Sequence, residues 1–183
     1  MAILGRSGFT PIGTPDTRYV ANLPVSAGTR PMGKGDAVRY VAGNLTNVEA
    51  GMDPGTVWGV TLAVYTTANR PLTMQTNKII ASGGVGRADV CWDPNQIYNT
   101  VVETSVGLTT CPVNMMIDLS AMNPVLGISG MALTAQTSAS VGNPFKVLYI
   151  SPFGELAGKG ATGDIKQEVV CIINNHVLRT GTI

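Results

Sequence analysis

Two glycine-containing segments and one histidine could in principle do chemistry. Ser129 lies in Gly-Ile-Ser-Gly-Met, which approaches the Gly-x-Ser-x-Gly turn of hydrolases, but Met131 replaces the last glycine. His176 is the single histidine of the chain, so a serine nucleophile would need it as general base. In residues 154–160, three residues separate the first glycine from Gly-Lys, whereas a phosphate-binding loop has four. The lysine is followed by glycine, where that loop has Ser or Thr. We therefore predict no catalytic residues.

The cysteines do not have the spacing of a metal site or a disulfide framework. Cys91, Cys111 and Cys171 form an odd set, and none is followed by another within four residues. Zinc sites usually contain closely spaced ligand pairs. We expect reduced thiols that pack as small apolar side chains in a reducing cytosol. We also predict no metal and no cofactor.

The charge content limits the possible partners. The 183 residues contain 12 Lys and Arg against 11 Asp and Glu, and the charged share of 13% is about half the usual one. Balanced charge provides no electrostatic attraction to phosphates, so no nucleic-acid partner is predicted. No apolar run is long enough to span a membrane and the N-terminus does not resemble a signal peptide, so no membrane partner is predicted. A surface with so few charges is better suited to being covered, which favours an assembly subunit.

Short runs rich in β-branched residues, separated by turn residues, predict an all-β fold. Val and Thr occur 20 times each, and both suit a pleated, half-buried surface better than a helix. At most one or two short helices are expected, for example after Pro94. The predicted strands are 37–42, 57–65, 78–81, 87–92, 97–103, 115–119, 145–151 and 168–174. We expect a single compact β-barrel or β-tulip-like domain, and the strand order stays open between a barrel, a sandwich and a β-tulip.

The first 32 residues are predicted to form an extended N-terminal arm, followed by a β-rich body over 33–183. Pro11, Pro15 and Pro24 and four glycines interrupt this segment before any apolar periodicity develops. Apolar side chains on such an arm could add a strand to the sheet edge of a neighbour. The candidate interface residues on this arm are Ile3, Leu4, Phe9, Ile12, Arg18, Tyr19, Val20 and Leu23. Deletion of residues 2–23 is expected to leave the body folded.

Several segments of the body occur in an order that is similar to a known family. They are Gly-Asp-Ala-Val at 35–38, Val-Trp-Gly-Val at 57–60, Arg-Ala-Asp-Val-Cys-Trp-Asp-Pro-Asn at 87–95, Phe-Lys-Val-Leu at 145–148 and Glu-Val-Val-Cys-Ile-Ile-Asn-Asn-His at 168–176. From about residue 33 onward, the chain resembles the small capsid decoration, or cement, proteins of tailed bacteriophages.

The resemblance implies a β-rich protein on the outside of an icosahedral head, commonly a trimer at three-fold and quasi-three-fold positions. Such a protein clamps neighbouring subunits of the major capsid protein. We therefore expect a structural virion protein, not an enzyme, whose partners are the major capsid protein and further copies of itself. Its expected place is the outer capsid surface, after synthesis in the host bacterial cytoplasm. A minor tail or baseplate component is the alternative, and a small esterase using Ser129 and His176 comes third.

Overall fold

The fold consists almost entirely of β-strands. The computed structural model describes residues 8–48, 57–65, 67, 79–102, 112–119, 127, 129–134, 143–150, 167–174 and 176. The strands in this part of the chain are β1 (Thr10–Pro11), β2 (Val20–Ser26), β3 (Ala37–Val41), β4 (Asn44–Asn47), β5 (Gly59–Tyr65), β6 (Val85–Cys91), β7 (Ile97–Val102), β8 (Val113–Leu119), β9 (Met131–Thr134), β10 (Phe145–Ile150) and β11 (Gln167–Ile173). One short 3₁₀ helix, Thr17–Tyr19, precedes β2. The predicted all-β class is confirmed.

Five strands close into a small barrel in the order β2-β4-β3-β5-β6. β2 pairs antiparallel with β6 along its whole length, from Val20 opposite Cys91 to Ser26 opposite Val85. A parallel contact of β2 with β4 completes the ring. Closure leaves no long free edge on these strands, which removes a common route to unwanted pairing. The predicted β-barrel is therefore present.

The remaining strands form a second sheet in the order β1-β7-β11-β10-β8-β9. Val102 of β7 also pairs with Leu133 of β9, so this sheet curls back on itself. Its buried core contains Tyr98, Met115, Phe145, Cys171 and Ile173, among others. Ala37 and Val60, on barrel strands β3 and β5, belong to the same cluster. The barrel and the second sheet therefore pack against each other through a shared apolar core.

The predicted N-terminal arm is wrong over residues 8–32. β2 is an integral barrel strand, and Leu23 and Val25 pack into the barrel core. Phe9 is only 1% exposed and belongs to the core of the second sheet. The scattered prolines suggested an arm, but Pro24 is accommodated within the β2–β6 ladder opposite Arg87. Residues 1–7, including Ile3 and Leu4, lie outside the described residues.

Most of the predicted strands in the body are present. Each predicted run except 78–81 overlaps a strand, and the first and last residues of that strand differ from the predicted ones by at most two positions. For the run predicted at 78–81, the described residues 79–81 form an isolated bridge, from Ile80 to Met32, and no strand. The backbone after Pro94 forms a turn, in which the Asn95 N–H donates to the Asp93 carboxylate at 2.8 Å, instead of a helix. The strands β1, β2, β4 and β9 were not predicted.

Candidate functional site

Four aromatic side chains form a continuous row beside the barrel core, and we call them the aromatic row. Tyr40 lies in β3, Trp58 directly precedes β5, Trp92 directly follows β6 and Tyr19 directly precedes β2. The ring centroids are 5.3 Å apart between Tyr40 and Trp58 and 5.8 Å apart between Trp58 and Trp92, and both pairs are stacked. Trp92 then meets Tyr19 edge to face at 5.1 Å. The row therefore crosses four strands that lie side by side in the barrel, in the order β3, β5, β6 and β2.

Strand register explains why these rings meet. Because Val20 pairs with Cys91, Tyr19 and Trp92 continue the β2–β6 ladder by one step. The Trp92 N–H donates to the Tyr19 carbonyl oxygen at 2.9 Å, and the Trp58 N–H donates to the Val38 carbonyl oxygen at 2.8 Å. Both tryptophans are half-buried and pack against the barrel core. The row therefore combines a structural inner side with a solvent-facing outer side, as aromatic residues at interfaces often do.

One end of the aromatic row carries an exposed ion pair. The Arg18 guanidinium carbon lies 6.0 Å from the centroid of the Tyr19 ring. Arg18 donates to the Asp16 carboxylate through Nε at 3.0 Å and Nη2 at 2.6 Å, and these hydrogen bonds lower the pKa of Asp16. Exposed pairs of this kind add little to stability. Arg18 instead places a planar, charged hydrogen-bonding group beside the aromatic rings.

The structure separates the residues that the sequence grouped into one interface. Phe9 is in the core and Leu23 packs against the barrel core, so neither forms an exposed contact surface on an arm. Tyr19 belongs to the aromatic row, and Val20 opens β2. Ile12 is exposed, and its N–H donates to the Ile97 carbonyl oxygen at 2.9 Å. Of the predicted interface residues that the structure describes, Ile12, Arg18 and Tyr19 therefore lie at the surface next to other residues that could form contacts with a partner.

Exposed apolar residues other than Ile12 were missed by the sequence analysis. The large apolar side chains exposed in the described part of the chain are Ile12, Tyr40, Val41, Val85, Ile97 and Tyr149. Tyr40, the member of the aromatic row that lies in β3, is 46% exposed, and the next residue, Val41, is 45% exposed. A signal for the row was present in the sequence, because both tryptophans flank apolar runs in a chain with few aromatic residues.

A polar network lies on the outside of the barrel, across β2, β5 and β6. Asn22 Nδ2 donates to Asp89 Oδ1 at 2.8 Å, and the Tyr65 hydroxyl donates to the other carboxylate oxygen of Asp89. Arg87 donates to the Asn22 side-chain oxygen at 2.5 Å and to its carbonyl oxygen at 2.9 Å. The hydrogen bond to Asp89 favours the neutral phenol and raises the pKa of Tyr65 to about 12. Because its groups satisfy one another, the network ties the three strands together.

Ser129 does not have the surroundings of an exposed nucleophile. It is fully buried, its hydroxyl donates to the Asp36 carboxylate, and its Oγ accepts the Met131 N–H at 2.9 Å. His176 is also fully buried, and its backbone forms an isolated bridge with Val57. The strained turn of a hydrolase instead presents its serine to substrate. The geometry around Ser129 therefore serves the packing of the chain.

The described cysteines are buried thiols. Cys91 and Cys171 are unpaired and fully buried, and burial raises the pKa of Cys171, whereas Cys111 lies outside the described residues. Within the described ranges, no three His, Cys, Asp or Glu side chains are grouped so that they could hold a metal ion. Among the same residues, no helix has the length and apolar character needed to cross a membrane.

Sequence comparisons with protein-family models and with curated proteins give no relative from which a function could be transferred. No protein-family model matches the sequence. A search of curated proteins also finds no match. The case for a function therefore depends on the chain's own surface and on the order of its sequence segments.

Proposed function

We propose that this chain is a structural virion protein that decorates the outside of an icosahedral phage head. In this role it stabilises contacts between subunits of the major capsid protein, as a homotrimer at three-fold and quasi-three-fold positions. The observation that supports the proposal most is a folded all-β body with large apolar side chains exposed in more than one place. Apolar patches on soluble proteins commonly mark interaction surfaces.

A trimeric cement protein needs one surface for its own copies and another for the capsid. Ile12 and Ile97 are exposed neighbours where β1 meets β7 in the second sheet. Tyr40, a member of the aromatic row, is exposed on β3 of the barrel. These two patches belong to different sheets. Two apolar patches on different sheets are suited to holding two different neighbours.

The aromatic row has the composition of an interface centre. Tyr, Trp and Arg are the residue types that most often dominate binding energy at protein interfaces. The row contains two tyrosines and two tryptophans, and Arg18 lies at one end of it. With charged residues at 13% of the chain, contacts made here would depend mainly on apolar burial. Binding should therefore be insensitive to salt, which screens charges over about 8 to 10 Å at physiological concentrations.

The segments that resemble decoration proteins lie mostly in the β-strands of the fold. They contribute to β3, β5, β6, β10 and β11. This placement supports a shared β-rich body, while the exposed residues would determine which capsid is bound. Three copies joined in one trimer would raise the effective concentration of each binding surface, so weak single contacts would give stable decoration.

A sedimentation assay tests this proposal. Purified protein is mixed with expanded, undecorated phage heads, the heads are pelleted, and bound protein is measured for wild type, Tyr40→Asp and Ile97→Asp. A charge forced into an apolar contact should lower binding at least about tenfold for one or both variants. Ser26→Asp is the matched control, because Ser26 is exposed and polar on β2, and it should bind normally.

Two outcomes of this assay would overturn the proposal. If wild-type protein does not pellet with heads, head decoration is wrong and a tail or baseplate role becomes the better explanation. If wild-type protein binds but Tyr40→Asp and Ile97→Asp both bind equally well, the apolar patches are not the contacts. Circular dichroism of each variant distinguishes lost contacts from lost folding.

A further inference from the structure

Asp36 is a buried carboxylate where the barrel meets the second sheet. It directly precedes β3 and is only 1% exposed. The Gly33 N–H donates to its Oδ2 at 2.7 Å, and the Ser129 hydroxyl donates to the carboxylate as well. Ser129 leads into β9 of the second sheet. The Asp36 carboxylate therefore connects the two halves of the fold.

Backbone hydrogen bonds bring barrel segments to the same place. The Ser129 N–H donates to the Lys34 carbonyl oxygen at 2.9 Å. The Gly35 N–H donates to the Thr61 carbonyl oxygen of β5 at 2.9 Å, and the Asp36 N–H donates to Thr61 Oγ1 at 2.9 Å. The loop before β3 is thus held from both sides, by the barrel and by the second sheet.

The start of the described chain joins the same junction. The Phe9 N–H donates to the Gly35 carbonyl oxygen at 2.9 Å, and the Gly8 N–H donates to the Met131 carbonyl oxygen at 2.7 Å. Gly8 and Gly35 have φ values of +90° and +86°, which only glycine adopts readily. A Cβ on Gly8 would also lie 2.8 Å from the Ser129 Cβ. The backbone is therefore closely packed around the hydrogen bond between Ser129 and Asp36.

The charge of Asp36 is poorly compensated at this place. Its two hydrogen-bond donors, the Gly33 N–H and the Ser129 hydroxyl, are neutral. The charged side chain that acts on it is Arg30, whose Nη1 donates to the Leu119 carbonyl oxygen at 2.6 Å. Lys34, in the same loop, is exposed to solvent. Burial outweighs the opposing effects of Ser129, Gly33 and Arg30 and raises the pKa of Asp36 to about 6.

We propose that the buried Asp36 carboxylate, positioned by Ser129, is a proton-dependent latch between the barrel and the second sheet. The closed junction is more stable when Asp36 is protonated, because the cost of burying its charge exceeds the gain from the hydrogen bonds of Ser129 and Gly33. Protonation removes the buried charge, and Oδ2 can still accept the Gly33 N–H. Deprotonation leaves a negative charge among neutral donors, which favours opening of the junction and exposure of the carboxylate to water. This inference does not depend on the proposed virion function.

The direction of the pH effect follows from the shift of the Asp36 pKa from 3.8 to about 6. Between these values the closed state binds the proton and the open state does not, so closure weakens as pH rises through this window. Above the window the effect is constant. The contribution of Asp36 should therefore make the equilibrium constant for opening roughly 50-fold larger at pH 7 than at pH 4.

The direct test is an NMR titration of the Asp36 carboxyl carbon in the full chain. A midpoint near pH 6 is expected, and a midpoint near 4 would overturn the latch. Ser129→Ala removes a hydrogen bond that favours the charged form, so it should move the midpoint upward. Ser82→Ala is the matched control, because the exposed Ser82 hydroxyl donates to the Thr29 carbonyl oxygen instead. An unchanged midpoint in Ser129→Ala would show that the two side chains do not act together.

Hydrogen exchange, corrected for the intrinsic pH dependence of the rate, tests where the opening occurs. The Ser129 and Gly35 amides should lose protection between pH 4.5 and pH 7, whereas amides of the β10–β11 ladder should keep it. The same loss at both places would show global destabilisation instead of a latch. Asp36→Asn should make the protection of the junction nearly independent of pH, and a persisting pH dependence in that variant would contradict the proposal.

Discussion

The rings of Phe9 and Phe145 lie face to face, with centroids 4.1 Å apart and planes inclined by 7°. Phe145 opens β10 in the second sheet, and both rings are almost completely buried. Phe9 thereby anchors the start of the described chain in the core. The segment that the sequence suggested as a contact arm is, over its described part, a structural element of the body.

This stacking predicts that Phe9→Ala is strongly destabilising. Loss of a buried phenyl ring leaves a cavity and should lower the free energy of unfolding by about 3–5 kcal/mol. Urea denaturation followed by circular dichroism measures the change. Ile12→Ala, three positions later at an exposed site, should change stability by about 0.5 kcal/mol or less. A Phe9→Ala variant as stable as wild type would restore the arm interpretation.

The same packing changes the expected result of an N-terminal deletion. Removing residues 2–23 would delete Phe9 and four of the seven residues of β2, which closes the barrel. The expectation that this deletion leaves the body folded is therefore replaced by its opposite. Circular dichroism and thermal unfolding of the truncated chain measure the outcome, and a cooperative transition close to that of the wild-type protein would contradict it.

The aromatic row predicts energetic coupling between its tryptophans. Offset aromatic pairs contribute about 0.5–1.5 kcal/mol beyond the area that they bury. A double-mutant cycle with Trp58→Leu, Trp92→Leu and the double variant should give a coupling energy of this size from urea denaturation. Trp92→Leu combined with Ile12→Ala, whose side chains belong to different patches, is the additive control. Additivity within experimental error for the tryptophan pair would show that the row is not a cooperative unit.

The Tyr65–Asp89 hydrogen bond predicts an unusual tyrosine titration. Ultraviolet absorbance should show one phenol that titrates near pH 12, and Asp89→Asn should move its pKa toward 10. Because the folded pKa is raised, the contribution of Tyr65 to stability is complete below about pH 10 and is lost as pH rises toward 12. Tyr65→Phe identifies the signal. If the absorbance change near pH 12 disappears in Tyr149→Phe and remains in Tyr65→Phe, the assignment of this titration to Tyr65 is wrong.

The buried thiols predict slow chemical labelling. Burial raises the pKa of Cys171, and both Cys171 and Cys91 are inaccessible in the folded protein. In a Cys111→Ser variant, a thiol reagent at pH 8 should react only at the rate of unfolding, and rapidly in urea. Fast labelling of the folded variant would show that these strands open more readily than the closed barrel implies.

The strands of the body could be predicted because they are bounded by clear turn residues. Gly-Lys-Gly-Asp before β3 and Asp-Pro-Asn after β6 mark strand ends in the sequence alone. β2 could not be identified in the same way, because Pro24 masks its alternation and its partner β6 lies about 60 residues later in the chain. Its assignment depends on long-range pairing, which local pattern does not contain.

The candidate surface was harder to predict than the fold. Ile12 and Tyr19 were expected to be contact residues because they were assigned to an extended arm. In the structure they are surface residues because of the strands and side chains that surround them. The aromatic row exists only because the barrel register brings Tyr40, Trp58 and Trp92 together from separate strands. Spacing along the chain does not report such a relationship. The junction at Asp36 was likewise invisible, since its partner Ser129 drew attention as a possible nucleophile.

Cryo-electron microscopy of expanded heads incubated with the purified protein tests the central claim most directly. The account predicts added density on the outer surface at the three-fold and quasi-three-fold positions, with three copies at each and with apolar patches of the chain facing their neighbours. The density should persist in 0.5 M salt. Heads that remain bare at saturating protein concentration, or density confined to the tail, would contradict the account.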